Sequence, residues 1–228
     1  MPDVTGSAVP DFEAPGICTV IDAAPEVRGE FLPVEEYLAA FREDYARPEV
    51  KTFDKLECGQ VFKEPGSASW GAFSRGDWPE AVRLLQDAVP AMGQQFTKAE
   101  ERGLTLRRVR YVEVPPSDYL VWEMAVLRER VRLGEQVRVF VSQGRPGFSA
   151  PPPRWFSELV IIGTVRLYEL RYKPDGVIAG AFRFSAPELI DACRADFDRL
   201  YGAAEDLPSF HDRVTGPLLR DRCAGASA

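Results

Sequence analysis

Tyr119 and Glu123 stand four residues apart, and on a helix that spacing puts a phenol and a carboxylate on one face. A carboxylate with a raised pKa beside a phenol can give or take a proton during a reaction. Asp118 and Trp122 adjoin the pair, Glu113 ends the segment before it, and Ser142 and Arg145 follow the segment after it. If those flanking segments are parallel strands, Glu113, Asp118, Ser142 and Arg145 gather near the carboxyl edge of a sheet, where α/β folds bind ligands. A structural reading stands beside the catalytic one: Glu123 pairs with a neighbouring arginine, and Tyr119 packs beneath it. Acidic and aromatic residues near a helix start need no catalytic role.

Other chemistries lack their residues. His211 is the single histidine, which disfavours a Ser-His-Asp triad or a two-histidine mechanism. There is no GxxxxGK[ST], no HExxH and no cysteine or histidine spacing for zinc, so no metal and no cofactor are expected. Arginines at 107, 108, 110, 128, 130, 132 and 138 read as a solvated rim or as partners of the many carboxylates, with a basic strip for an acidic partner as the other possibility.

Positioning these groups requires a strand, a helix and a strand. Residues 104–114 alternate apolar and basic side chains until Pro115-Pro116 ends the pattern. Ser117 caps the next helix, Leu120, Met124, Leu127 and Val131 recur at helical spacing, and Gly134 stops it. Residues 136–141 form the second strand, and so short a connection predicts a parallel, right-handed βαβ unit. Tyr119, Trp122, Val126 and Leu133 give the helix a second apolar stripe, which predicts packing against both the sheet and other helices.

The flanks fill in an α/β fold. Residues 1–30 read as a loose tail, with 17–21 able to pair as a strand or dock on a partner. A helix opens at Pro33, an extended stretch spans 50–63, and a short helical turn covers 69–73. Asp77 caps a further helix that Pro90 ends or kinks. Residues 144–153 are a loop rich in proline and glycine. Strands follow at 158–162, 165–172 and 177–184, the last two joined by Lys173-Pro174-Asp175-Gly176 as an antiparallel hairpin. Ser185 with Glu188 reads as a capping box, and the chain after Asp206 as irregular. The fold class is therefore α/β, a central parallel βαβ unit extended by an antiparallel hairpin, in one domain over 31–206 with tails at 1–30 and 207–228.

Composition narrows the setting. A net charge of −7 and 45% hydrophobic residues suit a globular domain and argue against direct binding to nucleic acid, which needs a concentrated cationic surface. Cys18, Cys58, Cys193 and Cys223 show no CxxC pairing and read as reduced thiols. No apolar run spans a bilayer, and the acidic start is unlike a signal peptide. The expectation is a cytoplasmic protein with no membrane partner.

Three phrases carry a family resemblance: 53–57 (Phe-Asp-Lys-Leu-Glu) running on to 60–66, then 107–110 with 116–123, then Asp175-Gly176 ahead of Phe182-Arg183-Phe184. Over about residues 35 to 210 the chain resembles a family of uncharacterised actinobacterial domains often found near small helix-turn-helix regulators. That family's core is similar to half of a phospholipase-D-type fold without its histidine and lysine motif. The resemblance implies a regulatory or accessory role, and no particular enzymatic activity follows from it. The loop from Gly144 to Trp155 departs from the family's shorter, more charged connection.

Two functions are expected to compete. One is a non-enzymatic module binding a protein partner, such as a helix-turn-helix regulator. The other is a small-molecule enzyme of specialised metabolism. Tyr119 and Glu123 are spaced like a pair in cyclodipeptide synthases, which would bring aminoacyl-tRNA as a partner, although no matching serine motif follows the first strand. An enclosed cavity shared by Tyr119 and Glu123 would favour the enzyme.

Overall fold

The computed structural model describes residues 26–141 and 157–225. They build a mixed α/β fold around one sheet of eight strands: β1 (Glu30–Pro33), β2 (Thr52–Glu57), β3 (Thr105–Val112), β4 (Gln136–Val141), β5 (Leu159–Ile162), β6 (Arg166–Tyr172), β7 (Ile178–Phe184) and β8 (Glu205–Asp206). The spatial order is β1-β7-β6-β5-β2-β3-β4-β8. β2, β3 and β4 are mutually parallel, and every other pairing is antiparallel.

The predicted βαβ unit is present. Helix α4 (Asp118–Arg132) follows helices α1 (Val34–Ala46), α2 (Ala68–Phe73) and α3 (Trp78–Glu101), and it links β3 to β4. Ser117 caps α4 by accepting the Leu120 N–H at 3.2 Å, and Gly134, at φ +113°, follows its last turn. Leu120, Met124 and Leu127 pack with Val112, Val137 and Val139 of the sheet and with Ala72, Trp78, Leu207 and Phe210 of the surrounding helices, so α4 is enclosed on both sides.

Alternation along the strands sorts the core into two faces. Val109, Leu159, Ile161, Leu167 and Phe184 point to one face and pack under helix α5 (Pro187–Ala203) through Leu189, Cys193, Phe197 and Leu200. The other face carries two separate apolar clusters. One lies under α4, and the other joins α1, through Tyr37, to Val160, Ile162, Tyr168 and Leu170. Between them, over β2 and β3, the side chains are charged.

The hairpin stands as predicted, with Gly176 at φ +83° in its turn and the Gly176 N–H bonded to Lys173 O at 2.8 Å. Three local expectations are corrected. Pro90 does not end its helix, which runs unbroken to Glu101. Pro90 and Gln86 are both exposed, so the carbonyl freed four residues before the proline faces water. The supposed capping box does not form, because α5 begins at Pro187 and Ala186 occupies the cap without a side-chain bond. Pro187 needs no N–H partner at that position.

Ahead of α1 the chain adds an edge strand: β1, which overlaps the expected tail only at Glu30, pairs with β7 from Glu30↔Arg183 to Pro33↔Gly180. A Cβ on Gly180 would come within 2.2 Å of Leu32 O, so this pairing requires glycine there. Lastly, the chain after Asp206 is helical rather than irregular. Helix α6 (Leu207–Phe210), a π-helical turn (His211–Thr215) and helix α7 (Gly216–Gly225) bury Leu207, Phe210 and His211 against α4. The 17–21 stretch and the 144–155 loop lie outside the described residues.

Candidate functional site

Lys55 and Glu57 on β2 share a face with Arg108 and Arg110 on β3, and the parallel register sets Lys55 beside Arg108 and Glu57 beside Arg110. A sheet covered by helices on both faces offers these charges little water, so each must find a partner. Glu57 takes one carboxylate oxygen to Lys55 and the other to Arg108. Arg108 Nε reaches Glu135 Oε1 at 2.8 Å, and Arg130 holds the other oxygen of Glu135. Arg110, with no exposed surface, donates from Nε to Glu123 Oε2 at 2.7 Å. Its remaining donors meet the carbonyls of Glu57 at 3.2 Å, Tyr111 at 3.0 Å and Gly59 at 2.5 Å.

The balance of burial and charge differs within this network. Burial pushes Glu57 toward its neutral form, but Arg108, Lys55 and Arg110 outweigh it and hold the carboxyl well below the usual range. Glu123 has a single cation, Arg110, at bonding distance, so burial prevails and its carboxyl is raised. Tyr119 is pushed far up by burial and by the negative charges of Glu123 and Glu64, which keep the phenol protonated.

Tyr119 stands between two carboxylates. Its hydroxyl donates to Glu64 Oε1 at 2.6 Å and lies 3.3 Å from Glu123 Oε1. A phenol has one proton, so both contacts are satisfied when Glu123 carries a proton of its own and the phenol passes its own to Glu64. The arrangement can move a proton between a buried acid and the half-exposed Glu64.

All three groups line a cavity of about 390 Å³ between α1 and α4. Lys55, Glu57 and Arg108 form its floor, and Tyr37, Trp122 and Tyr172 contribute to its walls. Such a volume, with mixed apolar and polar walls, suits a small molecule.

The structure therefore unites part of the sequence-derived set and separates the rest. Tyr119, Glu123 and Trp122 share the cavity, with the Trp122 indole fixed by an N–H bond to Ser69 Oγ at 2.9 Å. Asp118 faces outward and pairs with Arg222 at 2.9 Å. Glu113 is exposed at the strand end, where its N–H bonds Gln60 Oε1 at 2.9 Å. Neither lines the cavity, which opens on the face of the sheet rather than at its carboxyl edge. Ser142 and Arg145 lie outside the described residues. The arginines are largely intramolecular partners: Arg107 pairs with Asp54 and Asp198, Arg128 with Asp212, and Arg132 with Glu129.

Lys55, Glu57, Glu64 and Arg108 were not singled out as site residues from the sequence. Three of them had a signal, namely charges at two-residue spacing on strands that flanking helices cover on both faces. Glu64 had none, since it reaches Tyr119 from a turn distant in sequence.

Glu158 borders the same network. Its Oε1 accepts the Cys58 and Gly59 N–H groups, each at 2.5 Å, while its buried Oε2 finds no hydrogen-bond partner among the described residues. Burial, reinforced by Glu57, pushes its pKa from 4.5 up to about 7. The folded chain thus holds a proton that the unfolded chain releases above pH 4.5, so stability should fall as pH rises from there to about 7. Urea titrations of the parent and Glu158→Gln across that window check this. The variant, fixed in a neutral form, should lose this part of the pH dependence, and an unchanged pH profile would show that Glu158 stays ionised in the fold.

Among the described residues, no helix is long and apolar enough to cross a membrane, and Cys58 and Cys193 are free thiols. A comparison with curated proteins matches none of them. The model of one family, described as "Domain of unknown function (DUF6879)", matches residues 39–212. That span takes in α1 from its second turn, the charged strands β2 and β3, the whole of α4 and every residue assigned to the cavity floor, and the chain accordingly belongs to the DUF6879 family.

Proposed function

We propose that this protein is a non-enzymatic regulatory or accessory module of the cytoplasm that acts through a protein partner, and that its cavity admits a small polar ligand to which it responds. The supporting observation is the closure of the charge network at the cavity floor: Glu57 is held by Lys55 and Arg108, and Glu135 by Arg108 and Arg130. Groups committed in this way make a preorganised recognition surface rather than one whose charges change during a turnover. Resemblance to actinobacterial domains encoded near helix-turn-helix regulators, with a phospholipase-D-like half-core, supports a transcriptional regulator as the partner. An acidic chain of net charge −7 is suited to meet the basic surface of such a regulator rather than DNA itself.

A second reading rests on a specific observation. The Tyr119 phenol lies between Glu64 and Glu123 at the cavity wall, as proton transfer would require. Under that reading the protein is a small-molecule enzyme using Tyr119 and Glu123, with aminoacyl-tRNA as a possible substrate donor.

Glu123→Gln and Tyr119→Phe together separate the two. Glutamine resembles the protonated acid and keeps an oxygen for Arg110, so the accessory reading expects both variants to fold and to co-purify the same partner from the native host as the parent chain does. Recovery of no specific partner under mild conditions would overturn it. So would two folded variants that both abolish function in vivo, since loss of a general acid or base typically costs roughly 10² to 10⁴-fold in rate.

A further inference from the structure

A second concavity, of about 480 Å³, lies on the same face of the sheet, toward the amino ends of β2 and β3. Its walls are aromatic. Phe53 and Leu106 are register neighbours on β2 and β3 and form the floor. Phe41 and Tyr45 of α1 stack on each other with centroids 5.5 Å apart, and each meets Phe53 edge to face, at 6.0 and 5.7 Å. Phe96 closes the opposite side from α3. Phe41, Tyr45, Phe53 and Leu106 are each only partly buried, so the rings line the opening instead of filling it.

The charges around this basin are not closed in the way those of the polar cavity are. Arg102 lies 5.2 Å from the centroid of Tyr45. Its Nη2 donates to the main-chain carbonyls of Tyr45 at 2.7 Å and Arg47 at 3.3 Å. Carbonyls satisfy a donor without neutralising a cation, and among the described residues no carboxylate pairs with Arg102. Lys98 at the rim is exposed and likewise has no carboxylate partner among them. Arg130, the third cation, sits 5.1 Å from the Phe96 centroid but is neutralised by Glu135. The basin therefore sets two uncompensated positive charges beside a floor of ring faces and edges.

We propose that this basin binds a planar aromatic acid, a small molecule whose ring packs against Phe41, Tyr45 and Phe53 while its anionic group meets Arg102 and Lys98. The rings provide apolar area and oriented π contacts, the guanidinium can stack on a ring and hold an anion with its free donors, and the volume is in the small-molecule range. The site uses residues that the polar cavity does not, apart from Arg130, so it does not depend on the function proposed above.

Isothermal titration of the full chain with 1-naphthoate tests this, with 1-naphthylmethanol as the uncharged analogue and acetate as the anion without a ring. Naphthoate should bind at least about tenfold more tightly than either comparator. Lys98→Glu should weaken it by about three- to tenfold with the fold retained, because that side chain is exposed, and Arg102→Gln should weaken it too. Lys173→Glu, an equal charge change on the distant hairpin, should leave it unaltered. Equal affinity for naphthoate and naphthylmethanol, or equal loss in Lys98→Glu and Lys173→Glu, would overturn the proposal.

Discussion

Replacing Arg110 with methionine is expected to destabilise the fold by about 3–5 kcal/mol, the range for breaking a buried ion pair by removing one partner. Methionine fills much of the space, so little of this loss comes from an empty volume. What disappears is the counter-ion of Glu123 at 2.7 Å and the donors to the carbonyls of Glu57, Gly59 and Tyr111. The position has no exposed surface, and water cannot replace them. The loss should also depend on pH. Glu123 already sits above its usual carboxyl range, and without Arg110 it rises further. A folded-state pKa above the unfolded one means that the variant keeps more of its stability in acid and loses it as pH climbs past the ordinary value of 4.5. Urea denaturation at pH 5 and pH 8 would measure both effects. A parent-like midpoint at the higher pH would mean that solvent reaches the network, and a Glu123→Leu second change should restore part of the loss by removing the stranded acid.

Leu127→Ala is expected to cost roughly 2–5 kcal/mol through lost burial and the void left behind. Leu127 is 2% exposed and belongs to the cluster that α4 makes with Val137 and Val139. It also lines the polar cavity, so the void would merge with an existing space instead of collapsing. A urea midpoint that reports a loss under about 1 kcal/mol would show that neighbouring side chains close the gap.

The sequence disclosed the local elements wherever period and caps agreed. Ser117, Gly134 and the apolar stripe at offsets of four, three and four marked α4, and Asp175-Gly176 marked the hairpin. It misled where one local rule was read without its surroundings. Pro90 looks like a terminator until its turn is seen to face water, and Ser185 looks like a cap until Ala186 takes that place and Pro187 begins the helix. The helices after Asp206 were missed although Leu207, Phe210, Val214 and Leu218 recur at offsets of three and four: Pro208 and Gly216-Pro217 read locally as breaks, and the apolar stripe is held against α4.

For the site, the sequence by itself determined the pairing of Tyr119 with Glu123, because i to i+4 geometry depends only on the helix that carries them. It also determined the period-two charges of β2 and β3, and that Glu123 had arginines within reach. Only the tertiary structure decided that Arg110 is the one it meets, that Glu64 completes the phenol's surroundings, and that Asp118 and Glu113 stand apart. Those outcomes follow from the sheet order and from the gap between α1 and α4. Alternation assigns a residue to a face, but whether that face meets solvent, a helix or a cavity is set by which elements pack over it, and no spacing within a single strand encodes that.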